Sequence, residues 1–272
     1  MRLSISNIAW NSDEEGEIRE ILPAYRVEGV EVAPTKIWSD PSRADSAELA
    51  RYRAFWGERG LSIPALQALL FGRPELRLFA DEPTRASMLS YLTSIMGVGA
   101  GLGATALVFG SPKNRLAAGL EPGLAMEIAV EFFYKAGVAA CASGVVLCVE
   151  PNPPQYGCDF IRTVKEGADL VRRVDHPGFR LHVDASALIL NQEDVDQAIE
   201  EAADCMAHFH ISDPFLNVLG GHASAHRRMA AALRRCGWSR WISIEMRGQQ
   251  GPHPNRGNIE RALAFVNEVY LQ

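Results

Sequence analysis

Short apolar runs, several of them β-branched, recur near residues 2–8, 28–33, 61–66, 104–109, 144–150, 179–184, 206–211 and 241–246. Each is closed by a turn or a helix start, and runs of this length and make-up predict strands. Amphipathic stretches fill the gaps at 13–24, 43–60, 82–98, 121–141, 156–174, 193–204, 224–236 and 256–270, which predicts helices. Asp40-Pro-Ser-Arg43 and Asp81-Glu-Pro-Thr84 read as helix starts, an acidic cap followed by proline in the first turn. Strands alternating with helices predict a parallel sheet, and eight such units predict its closure. The expected fold is α/β, a single (β/α)8 TIM barrel over residues 1–272. A doubly wound open sheet has the same alternation. However, no GxGxxG follows the first strand, and Gly101-Leu-Gly-Ala-Thr105 leads into a strand instead of a helix, so no nucleotide cofactor is indicated.

Composition narrows the function classes. The 272 residues are 47% hydrophobic and 22% charged, enough for a large core, and no Pro/Gly/Ser-rich linker or low-complexity tract divides them. A formal charge of -6 argues against a nucleic-acid partner, because phosphate affinity needs clustered Lys and Arg. The five cysteines are scattered, odd in number and without a CxxC pair, which fits reduced thiols and a cytoplasmic protein. The N-terminus alternates like a strand and lacks a signal-peptide core. The weakly polar stretch from Ile95 to Gly110 is short and glycine-rich, so it reads as a helix end, a turn and a buried strand and gives no membrane association.

Four of the runs end on ligand-type residues: Gly144-Val-Val-Leu-Cys-Val-Glu150, Phe179-Arg-Leu-His-Val-Asp184, Met206-Ala-His-Phe-His210 and Trp241-Ile-Ser-Ile-Glu245. Side chains alternate faces along a strand, and a barrel carries its chemistry at the C-terminal strand ends. Glu150, Asp184, His210 and Glu245 are separated by 34, 26 and 35 residues, one strand-loop-helix unit each. Any one of these carboxylates could equally cap a helix or pair with an arginine, but their recurrence at four successive strand ends argues for a shared role. Three carboxylates and an imidazole suit one divalent ion among Mn, Mg, Zn, Co and Fe(II).

At these residues the chain resembles the xylose isomerase-like barrels of the sugar phosphate isomerase/epimerase superfamily. The likeness runs from Ser6-Asn-Ile-Ala-Trp10 and Val30-Glu-Val-Ala33 through Val149-Glu-Pro-Asn152, His182-Val-Asp184 and His208-Phe-His-Ile-Ser-Asp213 to Ser243-Ile-Glu245. The resemblance implies that the four residues bind one metal ion and that Glu150 and Glu245 also move the substrate proton. A metal-polarised carbonyl acidifies the neighbouring C–H, and the resulting enediolate can be reprotonated on the opposite face or at the adjacent carbon, giving epimerisation or isomerisation. A small sugar-like substrate is expected, and a homo-oligomer is compatible with the chain. The alternatives are a lyase of the inosose or dehydroshikimate type, which would expel a β-hydroxyl from the same intermediate, and a sugar-binding barrel without turnover.

His182 and His208 fall two residues before Asp184 and His210, which predicts a deeper layer that supports the site without coordinating. Substrate contacts are expected from Trp10, Lys36, Gln67, Lys113, Asn152, Asp213 and Arg247, all just beyond strands. Asp213 could orient His210, contact substrate or cap its own loop. The chain also departs from the ketose 3-epimerases, which place a histidine three positions after the metal aspartate and an arginine six after the metal histidine. Ala187 and Leu216 stand there instead, so a substrate with a further recognition group, such as an acid held by Lys113 or Arg247, is expected. Gln67, Phe109 and Ala187 likewise do not supply the extra histidines of apurinic endonucleases.

Overall fold

The computed structural model describes residues 1–249 and 255–272. Eight parallel strands run β1 Arg2–Ser6, β2 Val27–Glu31, β3 Ala65–Leu66, β4 Ala106–Phe109, β5 Val146–Val149, β6 Phe179–Asp184, β7 Met206–Ile211 and β8 Trp241–Ile244. Their order is β2-β1-β8-β7-β6-β5-β4-β3. Hydrogen bonds from Val30 N to Ser62 O at 2.8 Å and from Val32 N to Ala65 O at 3.0 Å join the outer two, closing a (β/α)8 TIM barrel. The β3 run is shorter than its apolar stretch because Pro64 has no N–H to give to a ladder.

The helices among the described residues are α1 Glu15–Ile21, α2 Ser46–Gly57, α3 Glu82–Leu102, α4 Pro122–Ala142, α5 Val164–Val174, α6 Ala185–Asn191, α7 Val195–Ala202, α8 Ala223–Arg235 and α9 Arg256–Val269. Asp81 caps α3 as expected, accepting from Thr84 N at 3.0 Å. Asp40 begins only a 3-10 turn at Pro41–Arg43, and Asp45 starts α2 through a reciprocal box with Glu48. α5 starts at Val164, not near 156, because Pro153 and Pro154 interrupt the chain and Thr163 supplies the cap. α6 is additional: Asp184 ends β6 and caps this helix by accepting from Ala187 N at 2.8 Å. α3 ends at Gly103, whose φ of 85° is left-handed, and the chain turns directly into β4. No helix among the described residues is long and apolar enough to cross a membrane.

The strands follow a strict alternation. Leu3, Ile5, Val30, Leu107, Phe109, Leu147, Val149, Leu181, Val183, Phe209, Ile211, Ile242 and Ile244 belong to the apolar core under the helices. Ser4, Ser6, Glu31, His182, Asp184, His208, His210 and Ser243 are equally buried but polar. They occupy the alternate positions, so they fill the barrel interior. The register sets His182 beside His208 and Asp184 beside His210, with His210 beside Ser243 on β8.

Candidate active site and metal centre

The four predicted ligands reach one layer because their strands are in register. Beyond the Asp184–His210 pair, Glu150 N donates to Phe109 O at 3.1 Å and Glu245 N to Ile211 O at 2.9 Å, so all four lie where the ladders end. Single ligand atoms of Glu150, His182, Asp184 and His210 lie within 4.8 Å of one another. Glu245 stands outside that closest group, with Oε2 3.4 Å from His210 Nδ1.

His210 is held from behind by Glu31, a residue that the sequence reading left without a role. Its Nε2 lies 3.0 Å from both Glu31 oxygens, and His208 Nε2 lies 3.2 Å from Oε2. β2 and β7 are separated in the sheet by β1 and β8, so these contacts cross the barrel interior. With Nε2 turned to the Glu31 carboxylate, Nδ1 is the nitrogen left facing Glu245, and it would serve an ion as a lone-pair donor once the proton favoured by these two carboxylates is displaced. Burial alone would raise Glu31, but His210 and His208 outweigh it and hold the carboxyl well below its usual range. Burial would lower His210, and here Glu31 and Glu245 prevail and hold it well above the ordinary histidine value. For His182, burial and its two histidine neighbours act together and keep the ring neutral.

The carboxylates crowd one another. Glu150 is pushed up to about 8, chiefly by burial and then by the charges of Asp184 and Glu245. Asp184 is raised to about 6 by burial and by Glu245, although Ser212 Oγ donates to Oδ2 at 2.5 Å. Convergent acids at the edge of a buried interior, with the Nδ1 side of an imidazole turned toward them, form a donor set whose excess protons a divalent cation would displace. Gly110 makes room for one of them: a Cβ there would lie 2.2 Å from Glu150 Oε2.

The layer opens into a cavity of about 990 Å³ lined by Trp10, Lys36, Gln67, Glu150, Asn152 and Glu245, among others. Five of the seven expected substrate contacts line this cavity: Trp10, Lys36, Gln67, Asn152 and Arg247. Several are already engaged. Lys36 donates to the carbonyls of Asn7 and Trp10, and Gln67 to Ser6 Oγ. Asn152 Oδ1 accepts from Arg115 Nη2 at 3.1 Å. Lys113 and Asp213 are absent from the lining. Lys113 is exposed, and its loop sends Arg115 inward instead, fully buried and donating to Glu150 O at 2.6 Å. Asp213 takes the loop-capping role: it accepts from Gly220 N and Gly221 N at 2.9 Å and meets His222 Nδ1 at 2.8 Å and His226 Nε2 at 3.3 Å.

The sequence reading also missed Tyr156, Phe71 and Phe215. Tyr156 OH meets Ser186 Oγ at 2.6 Å and accepts from Phe215 N at 2.8 Å, which ties three strand-end loops together at the cavity wall. Phe71 and Phe215 are exposed at the cavity lining. Phe215 and Leu216 both adopt left-handed φ, 62° and 59°. Nothing in the apolar patterning around them indicates such a turn.

A sequence model described as the xylose isomerase-like TIM barrel matches residues 24–269. No curated protein matches the chain. Among solved structures, the chain is similar to D-psicose 3-epimerase from Clostridium cellulolyticum H10 with D-tagatose, at 16% identity and TM-score 0.82, covering 99% of both chains. A D-psicose 3-epimerase in the presence of D-fructose gives 18% identity and TM-score 0.83, again over 99% of both. The 3-keto-D-glucoside 4-epimerase of E. coli gives 16% and 0.80, over 98% of this chain and 99% of that one.

Proposed function

Because the chain belongs to the xylose isomerase-like TIM barrel family, we propose that it is a divalent-metal-dependent isomerase or epimerase acting on a sugar or sugar-like polyol. The reading rests on one observation above all: Glu150 and Glu245 line the same cavity and follow β5 and β8, the strands that flank β6 and β7 with Asp184 and His210. The structural neighbours, which are sugar epimerases, support it.

Glu150, Asp184, His210 and Glu245 would hold the ion, one of Mn, Mg, Zn, Co or Fe(II). When bound, that ion supplies positive charge to substrate carbonyl and hydroxyl oxygens, stabilising negative charge that develops as a neighbouring C–H is lost. The remaining work belongs to the chain. One glutamate takes the carbon-bound proton and the other returns it on the opposite face, or a single glutamate returns it to the adjacent carbon. Ser212 and the α6 amide of Ala187 fix the Asp184 carboxylate, and Glu31 fixes the His210 ring. Arg115 pins the carbonyl of Glu150. To Arg247, in the cavity lining, we assign the role of receiving an acidic group of the substrate, since Ala187 and Leu216 replace the family histidine and arginine and the other cation among the described lining residues, Lys36, is engaged by backbone carbonyls. The described cysteines are all free thiols, which accords with a cytoplasmic setting.

The test is a screen of ketoses, inososes and sugar acids with Mn(II) in heavy water, read by NMR for C–H exchange. Wild type exchanges a proton next to the carbonyl with no change in product mass beyond deuterium. Glu150→Gln and Glu245→Gln each lose about 10²–10⁴-fold in turnover. Near wild-type rates in both variants refute the mechanism, and loss of one water from the product assigns the chain to the lyases instead.

A further inference from the structure

His182 sits directly below the proposed metal layer. It is fully buried on β6, two residues before Asp184, and its ring centroid is 4.1 Å from that of His210 and 5.4 Å from that of His208. The two neighbouring imidazoles each spend Nε2 on Glu31. Neither His182 Nδ1 nor Nε2 has a hydrogen-bond partner among the described residues. Buried polar nitrogens are almost always paired, and an apolar side chain would fill the same interior space without that cost. One His182 nitrogen does lie within 4.8 Å of ligand atoms from Glu150, Asp184 and His210 at once, a spacing that a single ion can bridge.

We propose that His182 is a further ligand of the ion, so that two imidazoles share it with the carboxylates and bias the site toward Zn(II), Co(II) or Fe(II) over Mg(II) and Mn(II). Imidazole suits the later first-row ions, whereas Mg(II) and Mn(II) favour oxygen. A set of one imidazole and three carboxylates leaves the choice among these metals open. The inference rests on the metal-site reading above and adds to it the identity of a ligand and the direction of selectivity. It differs from the supporting role that strand alternation alone suggests for His182, because Glu31 fills that role behind His210.

The experiment uses the full-length protein stripped with a chelator. Zn(II), Mn(II) and Mg(II) affinities are measured by competition with a fluorescent chelator, and Co(II) is titrated while its visible absorption is followed. Expected are Zn(II) binding tighter than Mn(II) in wild type, a Zn(II)/Mn(II) affinity ratio lowered about tenfold or more in His182→Leu, and a changed Co(II) spectrum in that variant. A ratio and spectrum identical to wild type overturn the inference while leaving the four-ligand site standing. If wild type takes up no divalent ion, the functional reading falls with it. Should His182→Leu fail to fold, ¹⁵N-histidine spectra of Zn(II)-loaded wild type decide the matter: two metal-shifted imidazoles support the proposal, and one refutes it.

Discussion

Glu31 and His210 are 179 residues apart in the chain and meet across the barrel interior, with His210 Nε2 3.0 Å from both carboxylate oxygens. This contact fixes which nitrogen of the ring faces Glu245, so Glu31 sets the orientation of a proposed metal ligand. Glu31→Gln replaces a charge-assisted contact with a neutral one and frees the ring to change tautomer. Metal affinity is expected to fall by about 10–100-fold. Chelator competition on the stripped protein measures it; unchanged affinity removes Glu31 from the site.

Gly110 predicts a separation of stability from activity. A methyl group at this position meets Glu150 Oε2, the far end of a side chain that can swing away, and meets no backbone. Gly110→Ala is therefore expected to fold with little change in melting temperature while C–H exchange drops at least as far as in Glu150→Gln. A variant with normal turnover would show that the Glu150 orientation is immaterial.

Asp213 carries a prediction in pH. It is held down to about 2, burial opposing the shift and contacts with His226, His222 and Gly221 overcoming it. A carboxyl that titrates near 3.9 in the unfolded chain and near 2 in the folded one stabilises fully above the first value and loses that contribution as pH falls through the second. Asp213→Asn should lower the melting temperature at neutral pH, and its deficit against wild type should shrink between pH of about 4 and 2. A deficit constant across that window would mean the carboxylate charge contributes nothing.

Arg247 and Lys113 separate two views of the cavity mouth. Arg247 lines the cavity and Lys113 does not, although both follow strands. Once an acidic substrate is found, Arg247→Ala is expected to raise KM about tenfold or more, as loss of a charge-assisted contact would. Lys113→Ala should leave KM unchanged. Equal effects in steady-state kinetics, or efficient turnover of free fructose, tagatose or psicose untouched by either change, contradict this recognition.

How much of this was legible beforehand depends on the range of the interaction. Strand alternation and acidic caps are local, so eight strands were readable from runs of apolar residues, and β6 and β7 fall on the expected 179–184 and 206–211. The polar residue closing each run could be placed at a C-terminal strand end for the same reason. Local reading failed where proline or a competing cap decided, as at Pro64 in β3, Pro153 and Pro154 before α5, and Asp45 ahead of α2. Asp184 showed a further limit: capping a helix and facing the site were treated as alternatives, and the short α6 allows both.

The sequence by itself determined the strand count, the inward alternation and the position of Glu150, Asp184, His210 and Glu245 at strand ends, because period and spacing are written in consecutive residues. Only the tertiary structure decided their partners. That Glu31 backs His210, that Arg115 reaches inward to the Glu150 carbonyl and that neither nitrogen of His182 has a hydrogen-bond partner among the described residues follow from the closed barrel and the packing of its loops. Those relations join positions far apart in the chain, and no periodicity within a single segment encodes them.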